Sequence, residues 1–378
     1  MSKPPPTGRN PSGVEEAIPR AEMIPLFKVF MSPSVEEPLL KTVRSGYITE
    51  GPRVKEFERA VGEYLGTERV LAVNSGTSAL ELAVKLLKQS DGEWPGLIPG
   101  DEILSCPLTC TATNWAVLAQ GMRLKWVDVN PETAEMDLRD LEAKLSPRTK
   151  VIVVVHWAGT PMDLERLAAV QDRCAQRFGF RPKVIEDCAH AFGAEWRGSK
   201  LGCRSHANIC CFSLQAIKHL TCGDGGLITL PCDALYARGK RLRWYGIDRD
   251  NRGGGRDGRM EPDITEWGHK WHMNDISASI GLANLPHIGS ILSACRANVA
   301  HYDAALTTLF GINVVRRAEG GTSSFWLYTL RVSAKFKFME YMKSHNVMVS
   351  QVHKRNDAHS CVAEFKTALP NLDKLEQR

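Results

Sequence analysis

Apolar and polar positions follow two periods along the chain. Over residues 54–65 (VKEFERAVGEYL) the apolar Phe57, Val61 and Leu65 recur at helical spacing, which predicts an amphipathic helix with these three on its buried face. Residues 69–73 predict a short strand and 77–88 a helix. The stretch PGDEILSC turns at Pro99-Gly100 into another strand. The pattern then gives a helix at 111–120, a strand at 124–129 and a helix at 138–145. Residues 150–156 (KVIVVVH) form a β-branched run with almost no alternation, the mark of a strand buried on both faces. A helix at 162–178 and a strand at 183–186 follow, then shorter strands at 209–214 and 226–230.

This β-α-β-α rhythm predicts the α/β class, with a mainly parallel sheet covered by helices on both faces. From about residue 285 the pattern changes. A helix at 288–309 precedes β-rich pieces at 324–332 and 347–353, which predicts a smaller α+β C-terminal domain. The expected organisation is a tail at 1–20, a large domain at 21–284 and a small domain at 285–378. The tail is rich in Pro, Gly and charge and reads as disordered. No internal repeat is visible.

Composition narrows the class. The 378 residues are 43% hydrophobic and 24% charged, the range of a soluble globular protein of about two domains. A net charge of +5 does not argue for a nucleic-acid partner. No apolar run reaches 18 residues and no apolar N-terminal core is present, so neither a membrane span nor a secretory signal is expected. Eleven cysteines without a CxxC pair suggest reduced thiols in a cytoplasmic protein, not a disulfide framework or a metal site.

Three polar clusters fall at predicted strand ends, where parallel sheets gather ligands. In VNSGTSAL (73–80) the amides of Gly76, Thr77 and Ser78 open a helix and could hold an anion, although a plain Ser/Thr cap reads the same way. In VIEDCAHAFGA (184–194) Glu186-Asp187 closes an apolar strand, and His190 lies three residues after Asp187. A carboxylate there is costly unless a cation or backbone donors meet it. In FSLQAIKHLTCGDGG (212–226) Lys218 stands five residues after Ser213 and shortly before Gly223, Gly225 and Gly226. It reads either as a solvated loop lysine or as a lysine that forms a Schiff base. A phosphate, a cationic ring nitrogen and an aldehyde would together use all three clusters, and pyridoxal 5'-phosphate (PLP) has all three.

With these motifs the sequence resembles the DegT/StrS-type aminotransferases, PLP enzymes that mostly act on keto nucleotide sugars. The resemblance begins at IPLFKVFMS (24–32) and SGYITEGPRVKEFE (45–58). It continues through NPETAEMD (130–137) and the three clusters to WGHKWHMND (267–275), covering nearly the whole chain after the tail. It implies the PLP-dependent aspartate aminotransferase fold (fold type I). It implies Lys218 as the internal-aldimine lysine, Asp187 paired with the pyridine nitrogen, and His190 near the ring hydroxyl. Ser213 and the amides of Gly76 and Thr77 would hold phosphate, with Ser78 a lesser candidate. The implied reaction is a ping-pong transamination from an amino acid, L-glutamate by analogy, to a keto nucleotide-sugar. The implied assembly is a homodimer with active sites at the subunit boundary.

The chain departs from the family pattern in three places. Cys110, in CPLTCTAT, stands where the family has an aromatic residue stacked on the cofactor ring; sulfur can also pack there. Lys270, in GHKWHM, replaces an Asn that reaches the neighbouring subunit's phosphate, which implies a cross-subunit cation. The family pattern continues beyond Arg378 with a strand and a closing helix, so the small domain is expected to lack them, with the apolar surface they would cover either exposed or covered by another part of the chain. Two other functions fit the same letters. One is a PMP-dependent sugar dehydratase, in which histidine replaces the lysine, so Lys218 speaks against it. The other is a non-catalytic regulatory PLP-fold protein, which need not keep the lysine, the aspartate and the phosphate loop. The Arg-rich stretch at 249–259 is either a solvated loop or a clamp for a nucleotide diphosphate.

Overall fold

Strands and helices alternate through the first two thirds of the chain. In order they are α1 (Glu36–Ser45), α2 (Pro52–Leu65), β1 (Val70–Val73), α3 (Gly76–Leu86), β2 (Glu102–Ser105), α4 (Thr111–Ala119) and β3 (Arg123–Trp126). Then come α5 (Leu138–Lys144), β4 (Thr149–Val155), α6 (Leu164–Phe178), β5 (Lys183–Asp187), the short β6 (Glu195–Trp196) and β7 (Ser199–Lys200), β8 (Ile209–Ser213) and β9 (Gly226–Thr229). The structure is a computed structural model describing residues 22–92, 94–249 and 263–377. The tail expected at 1–20, and the Arg-rich stretch beyond Arg249, lie outside the described residues.

Seven strands form the central sheet in the order β1-β9-β8-β5-β4-β2-β3. The run β8-β5-β4-β2-β3 is parallel, and β9 is antiparallel to both its neighbours. Strands β1, β2, β4, β5 and β8 therefore all point the same way, and the loops after them emerge along one edge. Both faces are covered. Leu71, Val73, Ile209 and Cys211 enter one buried cluster, while their strand neighbours Val70, Ala72, Cys210 and Phe212 enter another. That alternation is the period-two consequence of the pleat. The first cluster includes α3 residues Leu80, Leu82 and Leu86; the second includes Val54, Phe57, Val61 and Leu65 of α2, the face predicted for that helix plus one turn.

The later part of the chain contains α7 (Asp233–Leu242), α8 (Asp275–Asn284), α9 (Ile288–Leu306), β10 (Ile312–Val314), β11 (Gly321–Thr322), β12 (Leu330–Val332), α10 (Lys335–Ser344) and α11 (Pro370–Glu376). The buried carboxylate of Asp275 opens α8 and caps α2, accepting from the amides of Gly51, Arg53 and Val54 at 2.8, 3.1 and 3.0 Å. Strands β10 and β12 pair as a two-stranded sheet, and β11 pairs with β6. Among the described residues no helix is long and apolar enough to cross a membrane.

Two expected strands are corrected. Of residues 324–332 only Leu330–Val332 is a strand, and 347–353 is not one; Val347 makes a single bridge to Ile24. Both stretches have apolar letters, but the first spends its backbone groups on loops of the large sheet. Ser324 N and Leu327 N donate to Gly159 O and Ala158 O at 3.0 and 3.3 Å. Just beyond the second stretch, Asn356 N donates to Pro107 O at 2.8 Å.

Candidate active site

The turn between β1 and α3 is a cradle already committed on one side. Ser75 caps α3, its Oγ accepting from Ser78 N at 3.0 Å, and Ser78 Oγ donates to Asn74 Oδ1 at 2.5 Å. Ser78 is thereby occupied by the cap. Gly76 and Thr77 open the first turn, where amides have no intrahelical acceptor. A Cβ on Gly76 would sit 2.9 Å from Ser213 Cβ, and one on Gly226 would sit 2.3 Å from Ser75 O. Glycine at both places lets the turn wedge between the end of β8 and the start of β9, which brings Gly76, Thr77 and Ser213 together.

Lys218 projects from the loop joining β8 and β9. That loop is closed by Leu214 N→Gly225 O at 2.8 Å and Cys222 N→Leu214 O at 2.9 Å, and Lys218 N donates to Gln215 O at 2.9 Å. Gly223 takes φ +81°, a conformation most side chains avoid. Lys218 Nζ stands 3.5 Å from the ring centroid of Trp326. Burial pushes its ammonium down to about 8, against the upward pull of Asp187 and Cys110. Cys110 precedes α4, is exposed and makes no side-chain cap bond.

Asp187 ends β5 and is buried. Its Oδ2 accepts from Thr113 Oγ1 at 2.6 Å and its Oδ1 from Ala189 N at 3.0 Å. Burial raises its pKa, while these two bonds and the Lys218 charge act in the other direction. His190 stacks on Trp326 at 4.0 Å and on His353 at 5.8 Å. Burial, with Lys218 next, holds His190 well below the ordinary imidazole range, so the ring is neutral. Its Nδ1 is buried with no hydrogen-bond partner among the described residues. Lys270 is exposed on the turn before α8. Its backbone bridges Trp244, and its carbonyl accepts from Asn74 Nδ2 at 3.1 Å, beside the cradle of its own chain.

A model of the DegT/DnrJ/EryC1/StrS aminotransferase family matches residues 33–375. The chain belongs to this family. It is similar to AtS13 from Actinomadura melliaura, with 49% identity, a TM-score of 0.88 and coverage of 95% of this chain and 92% of that one. It is similar to the sugar aminotransferase CalS13 from Micromonospora echinospora, with 45% identity, a TM-score of 0.88 and coverage of 94% and 93%. It is also 31% identical to the UDP-4-amino-4-deoxy-L-arabinose–oxoglutarate aminotransferase of Shewanella sediminis, over 77% of this chain and 71% of that one. The protein is thus an aminotransferase of fold type I within a sugar aminotransferase family.

DegT/StrS aminotransferases are PLP enzymes. The residues present suit that group. The buried Nδ1 of His190 lacks a partner that a ring hydroxyl would be, and the close approach of Gly76 to Ser213 sets the first-turn amides of α3 beside the Ser213 hydroxyl. The motifs did not single out four residues at this site. Thr113 orients Asp187; Trp326 and His353 flank His190; and Asn356 Nδ2 donates to Thr109 O at 2.9 Å while its Oδ1 accepts from Asn114 at 2.8 Å. Thr113 could have been found, since it follows Cys110 by three residues on a predicted helix. Trp326 and His353 come from stretches whose apolar letters read as strand, and Asn356 lies just beyond the second of them.

Proposed function

We propose that this aminotransferase moves an amino group from L-glutamate to a keto nucleotide-sugar, with PLP carried on Lys218. One arrangement carries the reading: a half-buried lysine, its ammonium pushed down to about 8 by desolvation, within the field of a buried aspartate at the carboxyl edge of the sheet. The name of the Shewanella relative, which pairs a UDP-sugar with oxoglutarate, supports both substrate classes.

Bound there, PLP supplies an aldehyde that takes an amine covalently and a protonated ring that draws negative charge from the substrate carbon. The chain's residues do the rest. The amides of Gly76 and Thr77, at the positive end of α3, hold the phosphate with the Ser213 hydroxyl. The Asp187 carboxylate, steadied by Thr113, keeps a proton on the ring nitrogen. His190 Nδ1 would meet the ring hydroxyl, and the Cys110 sulfur would pack against a ring face. Lys218 Nζ, once free, moves a proton to and from the substrate's reacting carbon, and a pKa of about 8 lets it act as acid and as base near neutrality. In this reading the protein is a cytoplasmic homodimer, and Lys270 points its ammonium at the partner's phosphate as a point charge. Exposed apolar side chains on α1 and the turn after it (Leu40, Val43, Tyr47, Ile48), together with Trp267 beside the Lys270 turn, support such an interface.

The test adds PLP, reduces with borohydride and maps the labelled peptide, then offers glutamate with a panel of nucleotide keto-sugars read by mass spectrometry. The expected results are a label on Lys218 and an aminated sugar. A label on another lysine, or no amination with any keto-sugar, overturns the reading.

A further inference from the structure

Nothing in the family motifs concerns Trp326, yet it touches both Lys218 and His190. Lys218 Nζ lies 3.5 Å from the Trp326 ring centroid, inside the range where an indole face attracts a cation. The indole is fixed in place. Its Nε1 donates to the carbonyl of Ile217, the residue before Lys218, at 2.9 Å. His190 stacks against it at 4.0 Å with 19° between planes, and Phe27 at 5.2 Å with 23°.

The backbone that presents Trp326 is also fastened. Ser324 Oγ donates to His190 O at 2.9 Å, and His219 Nε2 meets Ser324 O at 3.0 Å. Phe325 takes φ +52°, a left-handed conformation that costs a non-glycine residue free energy. Residues held in such conformations gather where function requires a particular side-chain direction. Here the turn delivers the next side chain onto Lys218.

The neighbours of Lys218 show why an aromatic face would be needed. Asp187 acts on its charge, but both Asp187 oxygens already accept a hydrogen bond, from Thr113 and from Ala189 N. Cys110 contributes a further pull. His190, His219 and His353 all face the Lys218 charge and are all held toward the neutral form, first by burial. The indole adds an attraction that needs no counter-ion.

We propose that Trp326 is a positioning residue for Lys218, its indole face serving as the seat of the free ammonium whenever the amine is not covalently engaged. The proposal rests on the reading of Lys218 as the cofactor lysine. The seat keeps the amine beside His190 and the reacting carbon instead of releasing it to solvent. It also favours the protonated form, in which the amine can return a proton.

The experiment measures Lys218 in the full-length, cofactor-stripped protein by competitive amine labelling against pH, read by peptide mass. The wild-type midpoint is expected near 8. Trp326→Leu keeps the site apolar but removes the ring, and its midpoint is expected to fall by about half a unit or more. Trp326→Phe restores an aromatic face and is expected to return toward wild type, which a general loosening of the segment would not do. An unchanged or higher midpoint in Trp326→Leu overturns the proposal. Borohydride capture of PLP in the same preparations separates the two readings. Capture on Lys218 with an unchanged midpoint sinks the seat alone; no capture on Lys218 sinks the cofactor reading, and the seat's role with it.

Discussion

Glu186 and Asp187 are neighbours in β5, yet they face opposite sides of the sheet and are satisfied to different degrees. Glu186 is fully buried and takes four donors: His156 Nε2 at 2.8 Å, His206 Nε2 at 2.8 Å, Asn208 Nδ2 at 2.6 Å and Cys210 Sγ at 3.8 Å. His156 Nδ1 accepts from Met162 N at 3.2 Å, so its Nε2 carries the proton given to Glu186. Asp187 takes only Thr113 and Ala189 N and has lone pairs left. The first carboxylate is a closed structural network; the second is open to one more donor.

Glu186→Gln is therefore expected to destabilise the fold. Burial opposes charge on both partners, but His206 and His156 hold Glu186 below the usual carboxylate range, and Cys210 and Glu186 hold His206 up at about 12. Losing one partner of such a pair costs roughly 3–5 kcal/mol. The contribution of the depressed Glu186 is present above its ordinary 4.5 and is lost on acidification. That of the raised His206 is complete below its ordinary 6.5 and declines as pH rises toward 12. Urea unfolding across pH should thus show the largest wild-type advantage between these two ordinary values. A difference that grows steadily above pH 7 would contradict the pairing.

Asp187→Asn should leave stability near wild type and cut turnover by roughly a hundredfold or more. A neutral amide no longer holds the ring nitrogen protonated, and a lost charge-assisted contact of about 3 kcal/mol suffices for that factor. Steady-state kinetics beside a thermal melt checks both halves. Near-wild-type turnover removes Asp187 from the role.

PLP capture by the full-length protein should quicken as pH rises through about 8, because only the neutral amine attacks an aldehyde and burial has brought Lys218 down to that value. An ordinary lysine would give a midpoint near 10.4. Stopped-flow absorbance follows the capture, and Lys218→Ala should abolish it while retaining the fold. A midpoint near 10 would show that the capturing amine is not buried.

Lys270 gives a prediction about assembly. Light scattering should report a dimer or larger at micromolar concentration. Mixing inactive Lys218→Ala and Lys270→Ala proteins should restore part of the activity, since a mixed dimer regains one site with both lysines. Its carbonyl bond to Asn74 puts the Lys270 backbone beside the cradle of its own chain. A dimer that recovers nothing on mixing would therefore assign Lys270 to its own subunit's site.

The central sheet was legible because its strands and covering helices carry distinct periods; β4 and α2 appear within one or two residues of expectation. The glycine turn before α3, Asp187 and Lys218 stand out in the sequence because each sits at a strand end with residue types that are costly there without a ligand, and the structure brings them to the same edge of the sheet. Trp326, His353 and Asn356 do not stand out. Their roles come from non-local backbone bonds, such as Ser324 N to Gly159 O across 165 residues of sequence, which leave no period behind. Strand position alone does not tell Glu186 from Asp187; only the family resemblance picked Asp187. What separates them is His206 and Asn208, about 20 residues away on the approach to β8.

The missing side chains at Gly76 and Gly226 have a further consequence. With Ser75 lodged against β9 and Gly76 against Ser213, the anion cradle and the root of the lysine loop cannot shift separately. That half of the candidate site is held as one piece, so a bulkier residue at either glycine would displace both the turn before α3 and the start of the lysine loop.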